Sequence, residues 1–295
     1  MTYLQAILIG ALQGVTELFP VSSLGHSVLA PAWLGWHSLV AGQSADESFY
    51  LAFLVGLHVA TAFALLIFFR RDWVRIIGGF FASIRHRRIE GADQRMAWLL
   101  IVATIPVGVV GLVFEHGLRT LFAKPLAAAV FLTVNGAILA TGELLRRRAT
   151  TRPRRPARHR DNATDGALGE GASVNTGDAI VVGSSQIAAL FAGISRSGIT
   201  MVAGLLRGLD HEDAARFSFL LATPVIFAAG FYKIPDLLGP LGNGIRGQVL
   251  VGSIVAGLCA YGAIRFLTRF FRTRTLTPFA IYCLIAGVAS IIKFA

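Results

Sequence analysis

Two short polar clusters interrupt otherwise apolar sequence, and between them they hold the residue types needed for phosphate chemistry. The first runs Gln13, Gly14, Val15, Thr16, Glu17, Leu18, Phe19, Pro20, Val21, Ser22, Ser23, Leu24, Gly25, His26. Gln13 and Glu17 are four residues apart, so on a helix they share one face. Pro20 disfavours helical geometry at Phe19 and predicts that this helix ends there. Ser22 and Ser23 suit the N-cap of a second short helix, whose free N–H groups and positive dipole end attract an anion, phosphate above all. The second cluster runs Gly193, Ile194, Ser195, Arg196, Ser197, Gly198, Ile199, Thr200, and Arg196 is the only charge in the 28 residues from Ala179 to Leu206. A guanidinium at membrane depth costs about 3 kcal/mol by insertion scales, so an anionic partner is expected. Its planar fork fits phosphate oxygens two at a time.

The candidate set is therefore Glu17, Ser23, His26 and Arg196 for chemistry, with Gln13, Ser22, Gly25, Ser195, Ser197 and Gly198 lining the bound group. Each has a blander reading. Glu17 could serve only to neutralise Arg196, the serines could be caps for freed backbone groups, and Gly25 and Gly198 could simply let backbones approach. Gln186, His58, Asn135, Glu143 and Arg216 are read as structural pairing or interfacial groups. The spacing leaves hydrolysis and transport both open, because a carrier also needs an anion site, though it needs neither nucleophile nor base.

The elements that must position these clusters belong to a membrane. Of 295 residues, 55% are hydrophobic and 15% charged, and the mean hydropathy of +0.66 is too high for a soluble globular domain. The net charge of +11 lies in short stretches between apolar runs, and without a cationic stripe interleaved with stacking aromatics no nucleic acid is expected as a partner. Cys259 and Cys283 lie inside apolar runs, which argues against a disulfide framework. The N-terminal stretch lacks the features of a cleaved signal and is expected to remain. Six windows, 49–69, 97–114, 126–145, 214–232, 247–268 and 278–294, approach the roughly 20 apolar residues a span requires. Two further apolar regions, 3–36 and 179–207, are each broken by one of the polar clusters and predict re-entrant hairpins, since irregular backbone at membrane depth survives only where protein or water satisfies it.

Arginine marks sidedness. Residues 70–95 hold seven arginines and residues 146–160 hold eight, so both loops are placed in the cytoplasm. Alternation puts 37–48, 115–125 and 233–246 outside and the loop of Arg269, Arg272 and Arg274 inside. Each half of the chain then has one hairpin and three spans, an odd number of crossings that inverts the second half relative to the first. At an offset of 173, Ile7, Gly10, Gln13, Ser22 and Gly25 coincide with Ile180, Gly183, Gln186, Ser195 and Gly198. The expected architecture is an all-α polytopic membrane protein in one domain, residues 1–295: six transmembrane helices plus two re-entrant helical hairpins as inverted repeats. The repeats cover roughly 1–145 and 179–295, joined by a flexible cytoplasmic linker at 146–178 rich in Arg, then Gly, Asn, Asp and Ala.

At these residues the sequence resembles the undecaprenyl-diphosphate phosphatase (bacitracin-resistance protein) family. Stretches 13–26 and 193–198 look like its two signatures, and similarity extends to Gly56–His58 with Arg70 and Arg71, Ala103–Phe114, Ala215–Pro224 and Phe279–Tyr282. The resemblance implies a multi-pass enzyme of the bacterial inner membrane. That enzyme removes the terminal phosphate of a C55 polyprenyl diphosphate, regenerating the monophosphate carrier for peptidoglycan synthesis and conferring bacitracin resistance. It implies a divalent cation, Mg²⁺ or Ca²⁺, on Glu17 and Gln13, the lipid diphosphate and membrane lipids as partners, and an extracytoplasmic site; a homodimer stays open. The rival reading is a lipid-carrier flippase. In this sequence Gln13 stands where the motif also allows Glu, and Ala192 stands where Pro commonly precedes Gly193. Ser23 is the expected nucleophile with His26 or Glu17 as its base, against a directly activated water or His26 itself.

Overall fold

Apolar length dictates six of the helices. In the computed structural model, which describes residues 1–36, 38–39, 49–122, 124–150, 174–239 and 243–295, the chain forms helices and no strand among those residues. The helices in chain order are α1 (Tyr3–Thr16), α2 (Ser23–Trp33), α3 (Phe49–Phe68), α4 (Arg70–His86), α5 (Ala92–Phe122), α6 (Pro125–Thr150) and α7 (Thr176–Ser185). A 3₁₀ turn (Gln186–Leu190) follows, then α8 (Arg196–Leu206), α9 (His211–Leu238), α10 (Arg246–Phe270) and α11 (Thr277–Phe294). Helices α3, α5, α6, α9, α10 and α11 are long and apolar enough to span a bilayer, and they coincide with the six expected windows. Large side chains such as Leu258, Ile285 and Ile292 point outward from them, as befits lipid-facing surfaces.

Between α3 and α5 the arginine-rich stretch expected as a loop is in part a helix. Val74, Ile77, Phe81 and Ile84 recur three and four residues apart on one exposed edge of α4, beside Arg70, Arg71 and Arg85. Such a helix suits the plane of a membrane interface rather than its interior. Its first turn is tied down by Asp72, which accepts from Arg75 of the same helix at 2.6 Å and from Arg216 of α9 at 2.8 Å. Arg216 also lies over the Phe69 ring.

The short helices end where the polar clusters fall. α1 and α2 flank one break, and α7 with its 3₁₀ turn and α8 flank the other. The short helices cross over between halves: α1 packs on α10 of the second half, and α7 packs on α5 of the first. Small residues let them in. A Cβ at Gly10 would lie 2.4 Å from the Gly252 carbonyl oxygen, and one at Gly183 would lie 2.3 Å from that of Ala103. Without a hydrophobic drive between helices in lipid, such close backbone approach is where packing energy comes from. Helix α6 packs on α11, α2 and α8 and so touches both breaks. Most of the expected linker lies outside the described residues; of its ends, 146–150 finish α6 and Asn175 caps α7 through a reciprocal pair of bonds with Asp178. Of the three loops expected outside, 37–48 falls largely outside what is described, whereas the other two are shorter than expected: residues 115–122 continue α5 and residues 233–238 continue α9.

Candidate active site

Pro20 cannot donate a backbone hydrogen bond, and the chain turns sharply there, with the Val21 N–H reaching the Phe19 carbonyl at 2.7 Å. Ser22 then adopts φ 71°, a left-handed conformation that costs a non-glycine residue about 1–3 kcal/mol. Several bonds hold it there. Its hydroxyl oxygen accepts from the Gly25 N–H at 3.2 Å, capping α2, and from the Gly193 N–H of the other break at 3.2 Å. Its carbonyl accepts from Nδ1 of His26 at 2.7 Å. The second break repeats the cap 173 positions later: the Ser195 hydroxyl oxygen accepts from the Gly198 N–H at 3.1 Å.

The two breaks interlock. Gly193 has φ +114°, and a Cβ there would strike the Ala128 carbonyl at 2.5 Å; a Cβ at Gly25 would lie 2.8 Å from the Gly193 Cα. The hydroxyls of Ser195 and Ser197 reach the Phe19 carbonyl at 3.3 and 3.1 Å. Asn135 of α6 bonds both, donating from Nδ2 to the Pro20 carbonyl at 3.0 Å and accepting the Ser195 N–H on Oδ1 at 2.9 Å. Buried backbone groups that the breaks release are thereby satisfied.

This scaffold brings Arg196 onto Glu17. Nη2 of Arg196 donates to Glu17 Oε1 at 2.8 Å. The other oxygen, Oε2, accepts from Gln13 Nε2 at 3.0 Å and from the Ser23 hydroxyl at 2.5 Å, and His58 Nε2 of α3 lies 3.3 Å from it. Glu17 is 7% exposed, so its charge is balanced by these neighbours rather than by water. Three polar atoms here are buried without a partner: Arg196 Nη1, Gln13 Oε1 and Gln186 Oε1. Buried polar atoms are normally paired, which makes these three the places where a polar ligand would be received.

Beside them lies a cavity of about 300 Å³. Glu17, Ser22, Ser23, His58, Ser195 and Arg196 form its polar end, and apolar walls come from α3, α5, the 3₁₀ turn and α9, among them Val55, Val107, Leu190 and Ile226. The N-terminal ends of α2 and α8 both border it, giving backbone N–H groups and two positive dipole ends on one small volume. An anion held there faces a serine hydroxyl already bonded to a carboxylate, the arrangement of an activated nucleophile.

Residues 6–289 match the family described as bacitracin resistance protein BacA. The chain belongs to that family. It is 59% identical to the undecaprenyl-diphosphatase of Mycolicibacterium paratuberculosis, over 100% of this chain and 98% of the relative. It is equally similar, at 59% and the same coverage, to the one of Mycobacterium avium. It is 56% identical to undecaprenyl-diphosphatase 2 of Frankia alni, over 100% of this chain and 98% of that protein.

Within this BacA-family chain the expected residues gather at one place. Gln13, Glu17, Ser22, Ser23, Ser195, Arg196 and Ser197 are joined by the bonds described, and Gly25 and Gly198 are the close-approach positions. His26 is oriented differently from Ser23's expected base. Its Nδ1 faces the Ser22 carbonyl and its Nε2 lies 2.7 Å from the Tyr282 hydroxyl, with the two rings stacked. Of the two bases considered for Ser23, Glu17 is the one in contact. The sequence alone reads His58 as a structural-pairing or interfacial group, whereas in the fold it faces Glu17. The signal was present: an ionisable residue inside a transmembrane helix is a site candidate by default. For a metal, the described residues contain no group of three His, Cys, Asp or Glu side chains. The oxygens on offer are the Glu17 carboxylate and the orphaned Gln13 Oε1. That sparse set fits a hard cation that takes its remaining oxygens from phosphate and water.

Proposed function

We propose that this chain is an integral-membrane undecaprenyl-diphosphatase that hydrolyses the C55 diphosphate to the monophosphate carrier and inorganic phosphate. The observation that carries the reading is the Arg196–Glu17–Ser23 set at the polar end of an apolar cavity. A flippase would use the arginine but has no need of a hydroxyl bonded to a buried carboxylate, and the names of its relatives favour the phosphatase. We put the enzyme in the bacterial inner membrane, as its family implies, with its site towards the extracytoplasmic side, a reading supported by family membership and by the expected entry of the first hairpin from outside. The two halves, with their matching caps and exchanged short helices, are read as inverted repeats whose broken regions are re-entrant.

In this mechanism the unpartnered Arg196 Nη1 and the N-termini of α2 and α8 hold the diphosphate in place, and preorganised charge does most of the work. The Ser23 oxygen attacks the terminal phosphorus as its proton passes to Glu17. The bridging P–O bond breaks, its electrons leaving with the lipid monophosphate, and water then cleaves the phosphoserine. Ser195 and Ser197 fix the second break so that Arg196 stays aimed. His26 holds the strained Ser22 through its carbonyl. A divalent cation, Mg²⁺ or Ca²⁺, would be held by Glu17 and Gln13 Oε1 together with phosphate oxygens, and would supply charge neutralisation for the departing phosphate. Release of inorganic phosphate from C55 diphosphate by the purified protein in detergent tests the assignment; binding without release would favour the carrier.

A further inference from the structure

Among the described residues, His58 is the one ionisable side chain lining the cavity that the mechanism above leaves without a role. Its Nδ1 is 2.8 Å from the Leu54 carbonyl of its own helix. A carbonyl oxygen can only accept, so Nδ1 carries a hydrogen and the ring is held in one orientation. The other nitrogen, Nε2, then faces Glu17 Oε2 at 3.3 Å. Two lone pairs would repel at this distance, so a proton lies between them. The charged groups acting on His58 are Glu17 of the first break and Arg196 of α8, while the cavity walls from α5 and α9 beside it, Val107, Val225 and Ile226, are apolar.

Resting on the phosphatase reading, we propose that His58 is a positioning residue for the reaction. Its Nε2–H holds the Glu17 carboxylate against the Ser23 hydroxyl. Without that donor, Glu17 Oε2 keeps only Gln13 and the Ser23 hydroxyl itself as partners. Glu17 stands just past the last residue of α1, and its Oε1 is drawn away by Arg196. A donor fixed to α3, a full transmembrane helix, clamps the second oxygen from a rigid element. Gln13 supports that oxygen from the α1 side, so Oε2 is pinned between two helices while keeping Ser23 in reach. His58 thus acts on the carboxylate before the substrate arrives, and on kcat rather than on substrate affinity.

The test compares purified full-length wild type, His58→Phe and His58→Gln in detergent, measuring steady-state phosphate release from C55 diphosphate. Phenylalanine keeps the ring volume without a donor, and glutamine restores a donor of similar reach. Kcat is expected to fall on the order of 10²-fold in His58→Phe, the scale associated with a displaced catalytic group, with KM within about threefold, and to recover most of that loss in His58→Gln. In a Glu17→Gln background His58→Phe should cost no further activity, because it acts through Glu17. An unchanged kcat in His58→Phe overturns the proposal, as does a His58→Gln chain that is folded yet equally impaired, or an additive loss in the double variant. His58→Leu serves the same purpose if the phenylalanine chain does not fold. A wild-type protein that releases no phosphate sinks the phosphatase reading itself, which separates the two failures.

Discussion

Arg196 and Glu17, 179 positions apart in the chain, meet at 2.8 Å. One comes from each half, and each stands beside a helix break. An ion pair at this depth exists only if both breaks converge, so the contact links the architecture to the chemistry. It also leaves the guanidinium half used, with Nη1 unpartnered. Replacing Arg196 with lysine should therefore keep the pair with Glu17 while removing the second arm of the fork. We expect Arg196→Lys to fold with a melting temperature near that of wild type and to lose on the order of 10²- to 10³-fold in kcat/KM. An Arg196→Lys enzyme at wild-type activity would remove the phosphate role.

Ser23 and Glu17 act as one unit in the proposed reaction, so their losses should not add. Ser23→Ala and Glu17→Gln are each expected to lower phosphate release by roughly 10³-fold or more, and the double variant to be no worse than the poorer single one. Near-normal turnover in Ser23→Ala would transfer the attack to water.

Asn135 satisfies a carbonyl of one break and an N–H of the other. Asn135→Leu strands both in a buried setting, at about 1–3 kcal/mol for each unsatisfied group. We expect a lower melting temperature in detergent and, because Pro20 and Ser195 lose their common anchor, a fall in kcat as well. Asn135→Asp keeps the acceptor for Ser195 and should recover part of the stability. Thermal unfolding by intrinsic fluorescence measures both.

Much of this was legible beforehand, for a physical reason in each case. The six spans follow from apolar length alone, and the two breaks from Pro20, paired serines and a lone arginine in apolar surroundings, all local signals. Local signals say less about which partner a polar group finds. His26 was legible as a polar residue beside a break, and its bond to Ser22 is local, but the one to Tyr282 depends on where α11 lies, 256 positions away in sequence. His58 reaches Glu17 only through the packing of α3 against α1, which nothing in the 49–68 stretch specifies. The helix α4 was hidden for another reason: its arginines dominated the reading, and the three-and-four spacing of Val74, Ile77, Phe81 and Ile84 lay beneath them.

Gln13 puts an amide where an extra carboxylate is sterically feasible. Gln13→Glu adds an anionic oxygen next to Glu17. The Mg²⁺ concentration for half-maximal phosphate release is expected to fall several-fold, since hard cations follow ligand charge. Chelation with EDTA should abolish activity in both proteins. A titration unchanged by the substitution would take Gln13 off the cation.

Gly193 combines a positive φ with no space for a methyl group. Gly193→Ala should be among the most destabilising single changes in the chain, exceeding about 3 kcal/mol by strain and overlap together. The readout is the yield of monodisperse protein after extraction, with Gly262→Ala, where a Cβ meets nothing within 4 Å, as the tolerant control.

The greasy side walls of the cavity carry an economy of their own. At about 300 Å³ the hollow has room for a headgroup and the first isoprene units only, which would leave the rest of a fifty-five-carbon chain dissolved in the surrounding bilayer. Catalysis then proceeds without extracting the substrate from its solvent. Under the proposed function, recognition of tail length would fall to lipid partitioning, and a short water-soluble diphosphate would reach the same serine only at far greater bulk concentration.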